Sequence, residues 1–101
     1  MPNLVYLNNK YVNFKDAKIH IEDRGFQFSD SVYEVIKVLN HKLLDIDFHI
    51  RRLKYSTKEL NFNIKVNKNL LTNIFINLVK KNKLSNGIIY LQITRGLQPR
   101  E

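Results

Sequence analysis

The sequence predicts an α+β domain in which an antiparallel sheet packs with two helices. Three observations carry this reading. Short β-rich runs separated by Asn-containing turns fill the first 45 residues. Two stretches of helical period follow, and an apolar strand-like run, Ile88 to Thr94, comes near the end. The 101 residues fit a single domain with a modest core, since a chain of this size buries only about two thirds of its unfolded surface.

Leu4 to Leu7 and Tyr11 to Phe14 flank Asn8-Asn9-Lys10 and read as a hairpin. Ala17 to Ile21 alternates apolar and polar residues and reads as a further short strand. Glu22 to Ser31 has charge, one glycine and two phenylalanines but no sustained period, so an ordered loop is expected.

Val32 to Leu39 poses a choice. Ser31 and Glu34 match a helix capping box, but Val32, Val35, Ile36 and Val38 are β-branched and suit a pleated surface. The strand reading prevails, with a turn at Asn40-His41 and a return strand at Lys42 to Asp45. A period of two puts Tyr33, Val35, Lys37 and Leu39 on one face, and Val32, Glu34, Ile36 and Val38 on the other.

Asp47 is the expected N-cap of a helix over Phe48 to Leu60. At about 100° per residue, His49, Ile50, Leu53, Thr57 and Leu60 form its core stripe. Arg51, Lys54 and Lys58 fall opposite, in solvent. Arg52 lies at the edge of the stripe, beside Phe48, Tyr55 and Glu59. Of the two adjacent arginines, it is the candidate for holding a ligand. A second helix is expected over Lys68 to Lys83, with Leu70, Leu71, Ile74, Phe75, Leu78 and Val79 on one face. Lys80, Lys81 and Lys83 suit the negative end of its dipole without any ligand. Ile88 to Thr94 is apolar enough to be a central strand.

Composition narrows function. There is no cysteine, which excludes disulfides, thiolate metal sites and thiol nucleophiles. No apolar run approaches the length of a membrane span and no signal-like segment opens the chain, so a cytoplasmic protein is expected. The net charge of +8 comes mostly from 12 scattered lysines against 5 arginines. Nucleic-acid binders gather arginines and aromatics on one face, so nucleic acid is not the expected partner.

Tyr33, Arg52 and Arg100 are the groups suited to an anionic ligand: arginine offers rigid two-pronged donors, and a strand tyrosine offers a hydroxyl at fixed height. Taken singly, each fits a structural role better. Together with their surroundings they form three blocks. Residues 22–34 read EDRGFQFSDSVYE, residues 49–53 read HIRRL, and residues 90–100 read YLQITRGLQPR. These blocks closely resemble, in order and spacing, the fold-type IV pyridoxal-phosphate aminotransferases. Within that group the chain is most similar to the bacterial D-amino acid (D-alanine) aminotransferases; branched-chain aminotransferases and aminodeoxychorismate lyase are more distant.

The resemblance implies that residues 1–101 are the family's N-terminal domain. It implies that Arg52 grips the phosphate of pyridoxal 5′-phosphate, and that Tyr33 and Arg100 belong to the trap for the substrate carboxylate. Val35 and Lys37, on the face of Tyr33, would line the substrate pocket. Two departures concern Ser29 and Ser31, where the family commonly has glycine. In the family the Schiff-base lysine and the carboxylate facing the pyridine nitrogen lie in a second, C-terminal domain. None of the 12 lysines here matches that lysine. The expectation is therefore no turnover by this chain alone, a complementing C-terminal half as a partner, and a homodimer for the complete enzyme. The alternative is a non-enzymatic interaction or dimerisation module that kept the domain.

Overall fold

The structure is a computed structural model that describes residues 3–96. It opens with a hairpin of β1 (Leu4–Leu7) and β2 (Lys10–Asn13), which pair antiparallel. Asn8 and Asn9 both adopt left-handed backbone, φ 49° and 70°, as a two-residue turn between right-twisted strands requires. A 3-10 turn, Phe14–Asp16, follows.

A second sheet holds the middle of the fold. β3 (Ser31–Leu39) pairs on one side with β4 (Lys42–Leu43) and on the other with β5 (Gly87–Thr94), all antiparallel. The turn at Asn40-His41 is again left-handed at both positions. Along β3 burial alternates as expected: Val32, Glu34, Ile36 and Val38 point inward, and Tyr33, Val35, Lys37 and Leu39 outward. The segment is a strand, and Ser31 is its first residue rather than a helix cap.

Three helices complete the described residues: α1 (Arg24–Phe28), α2 (Ile46–Glu59) and α3 (Lys68–Lys81). The core joins Ile36 and Val38 of β3, Ile50 of α2, Ile74, Phe75 and Val79 of α3, and Ile89 of β5. Asn82 ties the first hairpin to the end of α3. Its Oδ1 accepts from the backbone N–H groups of Asn3 and Leu4, and its Nδ2 donates to the carbonyls of Leu4 and Leu78.

Several expectations are corrected. Ala17 to Ile21 is not a strand: it has no pairing partner among the described residues, and Ile19 and Ile21 stay exposed. The loop from Glu22 contains the short helix α1, begun by the Asp23 side chain, which accepts from the Gly25 N–H at 2.8 Å. Helix α2 starts two residues before Phe48. Asp45 is its N-cap, with φ 56° and no side-chain capping bond, while Asp47 sits inside the first turn and pairs with Lys68. Acid there still complements the helix dipole. Leu60 lies outside the core because α2 ends at Glu59 and leaves it exposed as the C-cap. Leu70 lies on the exposed side of α3, and α3 ends at Lys81, where the Asn82 side chain takes the Leu78 carbonyl.

β5 is not central among the described residues. It pairs with β3 alone, and its other side borders a groove of about 800 Å³. Tyr6 and Leu7 of β1 and Leu71, Ile74 and Phe75 of α3 help line that groove. The apolar composition of β5 thus serves the core through Ile89 and leaves Ile88 and Tyr90 exposed on the outer face.

Candidate functional site

The site grows from one anomaly on β3. The inward face is apolar except for Glu34, which is 3% exposed. A buried carboxylate is costly unless charge and hydrogen bonds compensate it. Helix α2 supplies both. It packs on the inner face of β3 and presents His49 and Arg52, three residues apart and so on the same side of the helix.

Arg52 grips Glu34 with two bonds. Its Nε donates to Oε2 and its Nη2 to Oε1, each at 2.8 Å. His49 Nδ1 lies 2.7 Å from Oε1. An ionised carboxylate can only accept, so Nδ1 carries the proton of this bond. The Arg52 hydrogen bonds hold the Glu34 carboxyl below its ordinary value of 4.5; burial opposes this, and the bond from His49 reinforces it. Glu34 in turn pushes the Arg52 guanidinium further above its already high value. The guanidinium also lies over the Phe48 ring, 5.1 Å from its centroid, which adds a cation–π contact.

Arg52 nevertheless remains half exposed. A guanidinium has five N–H donors in a planar fork. Among the described residues, Glu34 takes one on Nε and one on Nη2, which leaves both on Nη1 and the second on Nη2. The helix-angle reading that separates Arg52 from Arg51 therefore matches its position at the edge of the α2–β3 contact. Glu34 and His49 join Arg52 in this candidate site, and periodicity does not single them out. The available signal is a carboxylate at an inward position of an otherwise apolar strand, which demands a cation.

Tyr33 stands on the opposite face of β3, 63% exposed, with its ring stacked on that of Tyr90 at 5.9 Å and 8° between planes. In register, Tyr33 faces Gln92, Val35 faces Tyr90 and Lys37 faces Ile88. Tyr33, Val35 and Lys37 thus share one outer surface, as the period of two requires, and β5 adds Tyr90, which sequence reasoning does not select. Arg100 lies outside the described residues. Among the described residues there is no cluster of His, Asp and Glu fit to hold a metal ion, and no helix is long and apolar enough to cross a membrane.

A second polar cluster fixes the ends of the strands that carry the site. Asp30 Oδ2 accepts from Arg24 Nε at 3.1 Å and Arg95 Nε at 2.7 Å. These bonds, that of Arg95 first, hold the Asp30 carboxyl below its ordinary range despite partial burial. Arg95 also donates to the Leu60 carbonyl and covers the Phe62 ring. Gly25 lets α1 lie against β5: a Cβ there would collide with the Thr94 side chain. Ser29 closes α1 with left-handed backbone, φ 52°. Glycine fits that conformation best, so the departure noted at this position leaves the backbone shape in place and moves the cost to the serine.

A buried acid clamps a half-exposed arginine, beside a strand whose outer face carries a tyrosine, and proteins of known class share this sequence and fold. The sequence model of the family described as amino-transferase class IV matches residues 31–101, so the chain belongs to that family. It is 42% identical over 94 residues to a D-alanine aminotransferase of Listeria monocytogenes, covering 93% of this chain and 32% of the relative. It is 38% identical over 96 residues to a D-alanine aminotransferase of Staphylococcus epidermidis, covering 95% of this chain and 34% of the relative. The chain spans about a third of the length of these relatives.

Solved structures agree on the fold. A branched-chain amino acid aminotransferase from Escherichia coli superposes with a TM-score of 0.88 at 25% identity, over 95% of this chain and 34% of that one. A 4-amino-4-deoxychorismate lyase assignment from Legionella pneumophila gives 0.79 at 23% identity, over 87% of this chain and 32% of that one. A T.th. branched-chain amino acid aminotransferase, complexed with N-(5′-phosphopyridoxyl)-L-glutamate, gives 0.83 at 20% identity, over 91% of this chain and 32% of that one.

Proposed function

We propose that this chain is the N-terminal domain of a pyridoxal-phosphate-dependent D-amino acid aminotransferase, supplying the anchor for the cofactor phosphate and part of the substrate carboxylate trap. The observation that carries the reading is the half-exposed Arg52, held by Glu34 with three N–H donors to spare. That donor set fits a phosphate, which guanidinium groups bind through paired N–H bonds. The identity to D-alanine aminotransferases supports the D-amino acid substrate class.

Arg52 would hold the cofactor phosphate. Tyr33 and Arg100 would receive the substrate carboxylate, and Val35 and Lys37 would line the pocket beside Tyr33. Bound pyridoxal phosphate supplies the electron sink for breaking the bond at the amino-bearing carbon. The residues of this chain orient the two anions at either end of the reacting unit, which turns a bimolecular encounter into a positioned one. The lysine that takes the proton belongs, in this reading, to the two thirds of the relatives that the chain does not span. A C-terminal half carrying that lysine is the partner proposed, with a cytoplasmic homodimer as the complete enzyme.

The exposed outer face favours one alternative. Tyr33, Val35, Leu39, Ile88 and Tyr90 present apolar surface together, and a domain kept only for association would use the same face. Transamination separates the two readings. The purified chain alone should not transfer the amino group of D-alanine to 2-oxoglutarate in the presence of pyridoxal phosphate. Adding the remaining two thirds of a D-alanine aminotransferase relative as a separate chain should produce transfer that Arg52→Ala abolishes. Robust turnover by the chain alone would overturn the division of labour. Complementation indifferent to Arg52 would overturn the phosphate assignment.

A further inference from the structure

We propose that Glu34 is a positioning residue for anion recognition: backed by His49, it fixes the plane of the Arg52 guanidinium, so that the Nη1–Nη2 edge is presented as a ready fork for phosphate. This rests on the assignment of phosphate to Arg52 made above and adds the residue that makes the assignment work.

Geometry carries the inference. Arginine is a long, rotamer-rich side chain, and ordering one on binding an anion costs free energy. Here the ordering is complete before any anion arrives. The two bonds from Nε and Nη2 leave the guanidinium no freedom to rotate about its long axis. Glu34 itself cannot swing, because it sits in a strand, is buried, and receives a third bond from His49. Phe48 covers one face of the guanidinium. What remains accessible is the edge formed by Nη1 and the second N–H of Nη2, the edge that matches two oxygens of a phosphate.

The contribution of Glu34 is geometric rather than attractive, since its charge offsets that of Arg52. Lysine at position 52 would keep the charge, but Glu34 would take its ammonium and no planar fork would remain.

The test is a titration of the full chain with inorganic phosphate, followed through the arginine side-chain resonances in proton–nitrogen NMR. Arg52 Nε–H should be sharp and slow to exchange, and should stay unmoved as phosphate is added, while the Nη1 resonances shift. At salt high enough to screen the charge it removes, Glu34→Gln should weaken phosphate binding roughly three- to tenfold, the range expected when one ordered side chain is set free. Arg52→Lys should remove the binding. If Nε–H shifts along with Nη1, or if folded Glu34→Gln binds phosphate as tightly as the parent, the positioning role is overturned while the phosphate assignment stands. If phosphate moves no Arg52 resonance in the parent chain, the assignment itself falls, and the positioning role with it. Should Glu34→Gln fail to fold, the pattern of Nε and Nη1 shifts in the parent chain decides the matter alone.

Discussion

The rings of Tyr33 and Tyr90 stack nearly parallel, 5.9 Å apart, on the outer face of the β3–β5 pair. They are diagonal neighbours, since Tyr33 faces Gln92 and Val35 faces Tyr90. Both rings are otherwise exposed, so each is the other's aromatic neighbour on that face. Tyr90→Ala should lower the stability of the chain by about 0.5 kcal/mol, the low end for an aromatic pair because both rings are exposed. Urea unfolding followed by circular dichroism measures this. Tyr33→Phe should leave the urea midpoint unchanged, since it keeps the ring and removes only the hydroxyl.

Acid should weaken the fold through Glu34. Its carboxyl is held below 4.5 in the folded chain, so the stability it contributes is fully present above that value. It is lost as the pH falls below 4.5 and through the lower folded value. Glu34→Gln should cost about 1–3 kcal/mol at neutral pH, because its amide cannot accept every bond that the carboxylate does. The variant should also flatten the acid limb of the stability profile. Denaturant midpoints measured from pH 7 down to pH 3 check both effects; a parent and variant that lose stability in parallel would speak against Glu34 as the titrating group.

Gly25 should tolerate no side chain. Gly25→Ala places a methyl group against Thr94, and relieving the collision requires α1 to move off the end of β5. A loss of about 1–3 kcal/mol is expected, as for overpacking at a tight contact. Thr94→Ala in the same chain should recover part of it, because the nearest colliding atom is a Thr94 methyl. A double-mutant cycle reads the coupling.

Ser29→Gly should stabilise. Serine holds φ 52° there, and a left-handed conformation costs an ordinary residue about 1–2 kcal/mol. Glycine removes that cost but adds freedom to the unfolded chain, so the net gain should be about 0.5–1 kcal/mol. Thermal unfolding shows it as a raised midpoint.

Much of this architecture is legible in local chemistry. Asn-Asn and Asn-His turns announce the two hairpins, and the β-branched run from Val32 decides strand over helix. The helical period from Leu71 to Val79 marks the core face of α3. The misreadings lie where tertiary contacts outweigh pattern. Ile19 and Ile21 alternate like a strand, but a strand needs a neighbour and they have none among the described residues. α2 starts at Ile46 after an Asp45 in left-handed backbone that makes no side-chain cap, and no spacing rule reveals that. β5 reads as central because apolar residues occupy both its faces, yet one face meets the core and the other is left open.

For the candidate site, Arg52 is legible as an edge residue and Tyr33, Val35 and Lys37 as one face, because both follow from periodicity. The pairing of Glu34 with His49 and Arg52 is not. It joins a strand to a helix 15 and 18 residues on, and only the packing of α2 on β3 determines which cation reaches the buried acid.

With Arg52 as the proposed phosphate anchor, that pairing would make ligand recognition and folding a single event. The acid belongs to the sheet and the guanidinium to the helix, so neither element alone can present the fork. If α2 lifts from β3, even transiently, the carboxylate gains water and the arginine regains its rotamers. A phosphate captured at this spot would therefore resist that opening, and hydrogen exchange along the seam between the two elements should slow as phosphate is added.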